Sequence, residues 1–242
     1  MKIRLVSFSA VLSLLSVCAG TLRAQTIVTW LGTTDSTWET AANWTPSTVP
    51  NATDAVANFG SSGPTALSIN TGVSLGQLKF LSGAQTYTVS IAGSGVLEFW
   101  GTGIVNASAA TQTIANSNEL YFYNSATAGS STIGNSGYIE FDNSSTAGTS
   151  AITINSESEL DFYDSATAGA STITNNGGLY FSTSATAGSS TITNNSGLYF
   201  YNNATAGSST VANNGYMEFY DSATAGSSTV TTKNGLYFYN TA

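Results

Sequence analysis

Carboxylates are the side chains of this sequence best able to do chemistry, and three of them lie in adjoining copies of a repeat: Glu140, Asp142 and Asp161. Paired carboxylates hydrolyse glycosidic bonds, and carboxylate oxygens on adjacent strands can bridge a calcium ion. In other copies the same positions are mostly tyrosine, and no histidine or arginine accompanies the acids to shift their pKa values. We therefore predict no catalytic residue and no metal site, and we interpret the acids as hydrated surface groups. Calcium binding by these three residues is left open.

Histidine and cysteine chemistry is excluded from the mature chain. The sequence has no histidine, and its single cysteine, Cys18, falls in a predicted leader. A Ser–His–Asp triad or a Cys–His pair therefore cannot form, and we expect no cofactor. Removing the leader also removes three of the five cations, which changes the formal charge from −8 to −11. Only Lys79 and Lys233 remain, which excludes nucleic acid as a partner because phosphate binding needs clustered cations.

The first 24 residues are typical of a secretory signal peptide. Lys2 and Arg4 give a positive start, an apolar stretch follows, and small residues allow cleavage after Ala19 or Ala24. The apolar stretch is too short for a membrane-spanning helix. We predict export through the inner membrane.

From about Glu119 onward the chain repeats with a period close to 19 residues. Each copy carries one phenylalanine, and a Thr-Ala-Gly follows at a fixed distance. A short fixed period indicates units that stack, each burying its apolar face on the next. The marking residues are Phe122, Phe141, Phe162, Phe181, Phe200, Phe219 and Phe238.

Each copy is predicted to contain two short strands joined by turns. In one copy Leu198 and Phe200 alternate with Tyr199 and Tyr201, which is typical of a strand with one buried face. No segment has the period of a helix. These features predict an all-β fold, a right-handed parallel β-helix (β-solenoid) with coils of about 19 residues, in which the phenylalanines form an inward ladder.

Four parts are expected along the chain. A tryptophan-rich start would cap the first coil, because an uncovered coil exposes a strand edge. Irregular strands come next, followed by the regular repeats. The predicted boundaries are residues 1–24 for the signal peptide, 25–60 for the cap, 61–117 for irregular coils and 118–242 for regular coils that end mid-repeat.

The start of the mature chain has a distinctive order of aromatic and turn residues: Trp30-Leu-Gly32, Trp38, Ala42-Asn-Trp44, Val49-Pro-Asn51, Asp54, Ala55 and Phe59. Units close to Ser-Ala-Thr-Ala-Gly-Ser-Ser-Thr-Ile-Thr-Asn-Asn recur downstream. Together these features cover nearly all of the mature chain and resemble bacterial autotransporter passenger domains with β-strand repeats. The resemblance implies a β-helical passenger at the surface of a Gram-negative bacterium and a C-terminal outer-membrane translocator barrel. Since the sequence stops mid-repeat without such a barrel, we expect an N-terminal fragment of a longer protein.

The outward positions around each phenylalanine form two stripes rich in tyrosine. An exposed aromatic strip can stack on sugar rings or on the apolar surface of a protein. Tyrosine also favours exposed sheet faces without any binding role, and both interpretations stay open. The candidate binding residues are Tyr121, Tyr123, Tyr163, Tyr180, Tyr199, Tyr201, Tyr220, Tyr237 and Tyr239.

The favoured hypothesis is a non-catalytic exported surface protein, a repetitive rod acting in adhesion or in matrix and biofilm contact. Its partners would be surface glycans or host and matrix proteins. The first alternative is a polysaccharide-binding or polysaccharide-degrading β-helix enzyme. The second is an ice-binding solenoid, although only some copies offer a Thr-x-Thr pair. The threonines that suggest it are Thr127, Thr146, Thr167, Thr186, Thr205 and Thr224.

Overall fold

The computed structural model describes residues 25–239, so the predicted signal peptide lies outside the described residues. Within them the chain is almost entirely β-structure, with one short 3-10 helix at Ala41–Asn43. The N-terminal strands are β1 (Ile27–Trp30), β2 (Trp44–Thr45), β3 (Val56–Phe59), β4 (Ala66–Ile69), β5 (Gly72–Phe80), β6 (Thr88–Ile91), β7 (Val96–Asn106) and β8 (Thr113–Asn116). Those of the regular repeats are β9 (Glu119–Phe122), β10 (Thr132–Asn135), β11 (Tyr138–Phe141), β12 (Ala151–Ile154), β13 (Glu159–Phe162), β14 (Thr172–Asn175), β15 (Gly178–Phe181), β16 (Thr191–Asn194), β17 (Gly197–Phe200), β18 (Thr210–Asn213), β19 (Tyr216–Tyr220), β20 (Thr229–Thr232) and β21 (Leu236–Tyr239).

The strands form two long parallel sheets. One has 12 strands in the order β2-β1-β3-β5-β7-β9-β11-β13-β15-β17-β19-β21, and the other has nine in the order β20-β18-β16-β14-β12-β10-β8-β6-β4. Only the β1–β2 pair is antiparallel among the described strands. Because the chain visits the two sheets in turn, it winds into a β-solenoid of about 10 turns with ~19-residue spacing. The predicted all-β solenoid is confirmed.

One regular coil shows how the sequence turns its corners. After β17 the backbone of Asn202 adopts φ 58°, a left-handed conformation that asparagine tolerates. Thr205 then forms isolated parallel bridges with its equivalents in the two neighbouring coils. Gly207 follows at φ 61°, where an added Cβ would lie 2.7 Å from a carbonyl oxygen of the preceding coil. The chain then enters β18, so each corner is set by a residue suited to its φ angle.

Phenylalanines stack along the interior as predicted. Their rings are nearly parallel, with centroids 4.4 Å apart for Phe122 and Phe141 and 4.9 Å apart for Phe181 and Phe200. Beside them the isoleucines of the second sheet form another buried ladder, which includes Ile173. One coil therefore completes the core of the next.

Buried asparagines line one corner of the solenoid. Asn175 donates its side-chain amide to Asn194 over 2.8 Å, and Asn194 donates to Asn213 over 2.7 Å. Ile154 interrupts this ladder. Four residues, 155–158, follow β12 before the next strand, whereas two residues separate β14 from β15. The step from Phe141 to Phe162, which is two residues longer than the other steps between successive phenylalanines, is therefore accommodated by a larger turn at this corner.

Three tryptophans close the N-terminal end of the core. Trp30, Trp38 and Trp44 are buried, and Trp44 lies 5.0 Å from Trp30 and 4.6 Å from Trp38 between ring centroids. Each indole N–H donates to a backbone carbonyl, so no polar group is left unpaired by the burial of these rings. β2 pairs antiparallel with β1 and covers that edge of the sheet.

Candidate functional site

The outward side of the 12-stranded sheet carries three columns of side chains, with one residue per coil in each column. Within the first two columns, neighbours are paired in register across adjacent strands, and in the third column Tyr220 is paired in register with Tyr239. The first column contains Val96, Glu119, Tyr138, Glu159, Gly178, Gly197 and Tyr216; the central column contains Glu98, Tyr121, Glu140, Asp161, Tyr180, Tyr199, Glu218 and Tyr237; the third contains Trp100, Tyr123, Asp142, Tyr163, Ser182, Tyr201, Tyr220 and Tyr239.

All nine tyrosines that the sequence singles out lie on this one side. The sequence has 12 tyrosines. Tyr87, in contrast, is buried in the core, where its hydroxyl donates to the carbonyls of Gly60 and Ser62. The remaining two, Tyr138 and Tyr216, lie in the first column. Tyrosine is therefore concentrated on a single face of the rod rather than spread over its surface.

Tyrosines of successive coils pack on one another over the C-terminal half of this side. Ring centroids are 5.0 Å apart for Tyr180 and Tyr199, and 4.9 Å apart for Tyr201 and Tyr220, with nearly parallel ring planes. Such offset stacks are favourable arrangements for aromatic rings. We name this surface the tyrosine face, and it consists of Tyr180, Tyr199, Tyr201, Tyr220, Tyr237 and Tyr239.

Glycines in the first column fix the position of the neighbouring tyrosine rings. A Cβ added at Gly178 would lie 2.5 Å from the ring of Tyr180, and one added at Gly197 would meet the ring of Tyr199. The missing side chain thus makes room for a ring two residues further along the strand. The Gly-Leu-Tyr-Phe sequence of β15 and β17 therefore holds the aromatic ring against the sheet.

The N-terminal half of the same side is acidic. There the hydroxyl of Tyr138 lies 2.8 Å from a carboxyl oxygen of Glu140 and 2.9 Å from one of Asp161, so the three side chains form a hydrogen-bonded network. Tyr163 also reaches Asp161, over 3.1 Å. Burial raises the pKa of Asp161 to about 6 and is the largest of its causes, while the two tyrosine hydrogen bonds act in the opposite direction. Burial likewise raises the pKa of Glu140.

Asp142 does not join this network. It lies in the third column, where its Oδ1 accepts the backbone N–H of Asn143. Among residues 25–239 no group of three or more histidine, cysteine or acidic side chains is placed to hold a metal ion. The structure therefore brings together only two of the three carboxylates that the sequence groups.

A shallow depression of about 530 Å³ lies over the acidic half. Its wall includes Glu98, Glu119, Glu140, Tyr121 and Tyr123. Partial burial, followed by the charge of Glu140, raises the pKa of Tyr123 to about 12, so its hydroxyl keeps its proton at neutral pH. The surface thus presents carboxylates and neutral phenols side by side.

Sequence reasoning missed Trp100, Tyr138 and Tyr216 as members of this surface. Trp100 is exposed and stacks on Tyr123 with 4.3 Å between ring centroids. Tyr138 and Tyr216 come two residues before an outward glutamate, on the same side of their strands. The signal that could have identified them is the alternation of inward and outward side chains along a strand.

The six threonines that suggest ice binding lie at a corner instead of on a face. Thr127 and Thr186 each accept the backbone N–H of the glycine two residues later, over 2.9 Å and 3.0 Å. Other threonines occupy most outward strand positions of the nine-stranded sheet, and none of its outward strand residues is charged. Thr-x-Thr pairs lie in register at Thr172 and Thr174 of β14 and at Thr191 and Thr193 of β16. A third pair, Thr229 and Thr231, is separated from them by β18, where Ala212 takes the place of the second threonine.

Comparison of the sequence with protein-family models and curated proteins, and of the fold with solved structures, gave no significant match. In the part of the chain that the structure describes, no helix could span a membrane.

Proposed function

We propose that this protein is an exported, non-catalytic surface protein whose β-solenoid rod makes adhesive or matrix contacts through the tyrosine face. The observation that carries the proposal is the in-register packing of tyrosines from successive coils on one side of the rod. Aromatic rings present apolar surface together with a polar hydroxyl, the combination on which sugar rings and protein surfaces stack. Surface glycans or matrix proteins are the partners that this chemistry fits.

Repetition supplies the strength of such a contact. Each tyrosine adds a small contact, but coils about 4.8 Å apart place many of them against one extended partner. Linked weak contacts gain affinity through high effective concentration. A rigid rod is suited to this because the core ladders hold the spacing between successive sites.

The assignment as non-catalytic is part of the proposal and is supported by the state of the carboxylates. Asp161 is only 6% exposed, and its Oδ2 lies within hydrogen-bonding distance of both Tyr138 and Tyr163. A glycosidase needs two accessible carboxyl groups on either side of a bound sugar. Export and location at the cell surface rest on the signal-like residues 1–24 and on the resemblance to autotransporter passengers.

A panel of immobilised glycans and matrix proteins tests the proposal. The variant Tyr199→Ser/Tyr201→Ser/Tyr220→Ser removes the centre of the tyrosine face. The control Thr172→Ala/Thr191→Ala/Thr210→Ala makes three exposed substitutions on the other sheet. We expect the wild type and the control to be retained on at least one surface. The tyrosine variant should be lost from that surface, while its melting curve shows that it is still folded at the assay temperature. Equal retention of all three proteins would refute the tyrosine face as the contact.

The second candidate function is ice binding by the nine-stranded sheet. Its outward threonines repeat at roughly 4.8 Å between strands and about 6.6 Å along a strand, a two-dimensional hydroxyl array. Ice presents a comparably regular array of oxygens. Thr191→Tyr, which places a bulky ring among the Thr-x-Thr pairs, should abolish thermal hysteresis, whereas Tyr199→Ser should leave it unchanged. Wild-type protein without thermal hysteresis would exclude this candidate.

A further inference from the structure

Acidic and aromatic residues alternate in both directions over the N-terminal half of the outward side. The first column runs Glu119, Tyr138, Glu159, while the central column runs Glu98, Tyr121, Glu140. Each tyrosine thus has a carboxylate beside it on its own strand and others on the strands above and below. We name these six residues the checkerboard: Glu98, Glu119, Tyr121, Tyr138, Glu140 and Glu159.

No lysine or arginine of residues 25–239 neutralises the checkerboard. Among the residues that the structure describes, the only lysines or arginines are Lys79 and Lys233. Lys79 lies in β5 opposite Asn58 and Val105, away from the segment that faces Glu98, and Lys233 follows β20 on the other sheet. The checkerboard therefore carries an excess of negative charge and complements a cationic partner.

The spacing favours an extended organic cation over a metal ion. Glu98 and Glu140 are two strands apart, as are Glu119 and Glu159, which corresponds to roughly 9–10 Å. No group of acids in residues 25–239 converges to hold a metal ion. Positive charges repeated along a chain would match these separations, and the rings of Tyr121 and Tyr138 would lie between them.

Asp161 provides a second, independent sign of a missing partner. It continues the central column after Glu140 and is only 6% exposed. Its Oδ2 is within hydrogen-bonding distance of Tyr138 and Tyr163, but its Oδ1 has no hydrogen-bond partner. A buried carboxyl oxygen without a donor is costly. An unused hydrogen-bond acceptor therefore remains in the same column as Glu98, Tyr121 and Glu140.

We propose that the checkerboard binds an amine-bearing polysaccharide, a polymer of 2-amino sugars of the glucosamine type. The ammonium groups would pair with Glu98, Glu119, Glu140 and Glu159, and the sugar rings would stack on the tyrosines between them. This inference rests on the proposed function, because it names the glycan class that the same side of the rod selects. Anionic glycans are repelled, and neutral ones gain only the stacking contacts.

The test compares oligomers of equal length by calorimetry at low salt, on the full chain and at a pH where the amines are charged. The probes are a glucosamine oligomer, its N-acetylated neutral counterpart and an oligolysine. The variant is Glu119→Gln/Glu140→Gln, and the control Asp54→Asn/Asp221→Asn removes the same charge from exposed acids elsewhere. Melting curves show that each variant is folded.

We expect the glucosamine oligomer to bind more tightly than the other two probes. The glutamine variant should weaken it by roughly fivefold to thirtyfold, since two partly exposed charge pairs are lost, while the control leaves it unchanged. Equal binding of the acetylated oligomer would overturn the amine assignment and leave the tyrosine-dependent function standing. Equal weakening by the control would show that binding depends on net charge and not on the checkerboard. Tighter binding of oligolysine would show that the partner is a basic peptide and not a sugar. If no oligomer binds, this inference fails, and retention on the glycan and matrix panel then decides the proposed function separately.

Discussion

The hydroxyl of Tyr138 lies 2.8 Å from Oε2 of Glu140 and 2.9 Å from Oδ2 of Asp161, so one phenol joins carboxyl groups of adjacent coils. The hydroxyl of Tyr163 lies 3.1 Å from the same oxygen of Asp161. Tyr138 and Tyr163 have two phenolic protons between them, whereas these three oxygen–oxygen contacts need three protons to be hydrogen bonds. The third proton is supplied when one of the two carboxyl groups is protonated. The raised pKa values of Glu140 and Asp161 agree with this proton count.

The first prediction concerns the pH dependence of stability. Burial raises the pKa of Asp161 from 3.8 to about 6, so the protonated carboxyl stabilises the fold fully below pH 3.8, and this contribution is lost as the pH rises through 6. Asp161→Asn should therefore gain stability relative to wild type between pH 4 and pH 7, by about 3 kcal/mol at pH 7. Chemical unfolding at several pH values measures the difference. Asp142→Asn makes the same change of charge outside the network and is the control, and parallel curves for Asp161→Asn and wild type would contradict the network.

The second prediction concerns the phenylalanine ladder. Phe181 is fully buried between the rings of Phe162 and Phe200, whereas Phe238 in the last described strand is 53% exposed. Phe181→Ala should lower the free energy of unfolding by about 3–5 kcal/mol. Phe238→Ala is the matched control and should cost less than about 1.5 kcal/mol, because little of its surface is removed from water. Similar losses for the two variants would show that the ladder does not carry the core.

The third prediction concerns a strained threonine. Thr183 has φ 62° at a corner where equivalent residues are asparagine or aspartate, such as Asn202 at φ 58°. A β-branched residue is disfavoured in this left-handed region. Thr183→Asn should stabilise the protein by about 1 kcal/mol, and it would offer an amide oxygen to the backbone N–H of Asp164. The reciprocal change Asn202→Thr should destabilise it by a similar amount. Thermal denaturation compares them, and melting shifts of the same sign would rule out backbone strain as the cause.

The fourth prediction concerns the buried asparagine ladder. Asn194 accepts from Asn175 and donates to Asn213 and to the carbonyl of Tyr216. Asn194→Ala leaves buried groups unpaired and should cost about 1–3 kcal/mol. Asn195→Ala, in the exposed row beside it, should change stability by less than about 0.5 kcal/mol. Denaturant titration distinguishes the two, and an equal effect would mean that the ladder contributes little.

The sequence predicts the fold well because the strongest pattern is also the structural unit. The step of 19 residues between Phe181 and Phe200 is the distance that brings equivalent residues into register on adjacent strands. Period-2 alternation then assigns Leu198 and Phe200 to the core and Tyr199 to the surface. Even the larger turn at residues 155–158 follows from the one long step in the repeat.

The candidate site is less predictable because it depends on contacts between coils. The burial of Asp161 requires Tyr138 from the preceding coil and Tyr163 from its own, and a single-coil pattern shows neither contact. Thr127 repeats as regularly as the phenylalanines, yet its hydroxyl caps a corner instead of facing outward. Regular recurrence identifies a structural position, but it does not tell whether that position meets solvent.

Hydroxyl-radical footprinting of the rod, free and bound to the glycan or matrix surface that retains it, tests directly whether the tyrosine face is the contact. Tyr199, Tyr201 and Tyr220 should be oxidised in the free protein and protected in the bound protein. Ile27, which is 54% exposed, should be oxidised equally in both states. We expect those tyrosines to be protected while the oxidation of Ile27 is unchanged. Unprotected tyrosines in the retained protein would show that the rod binds through a different side.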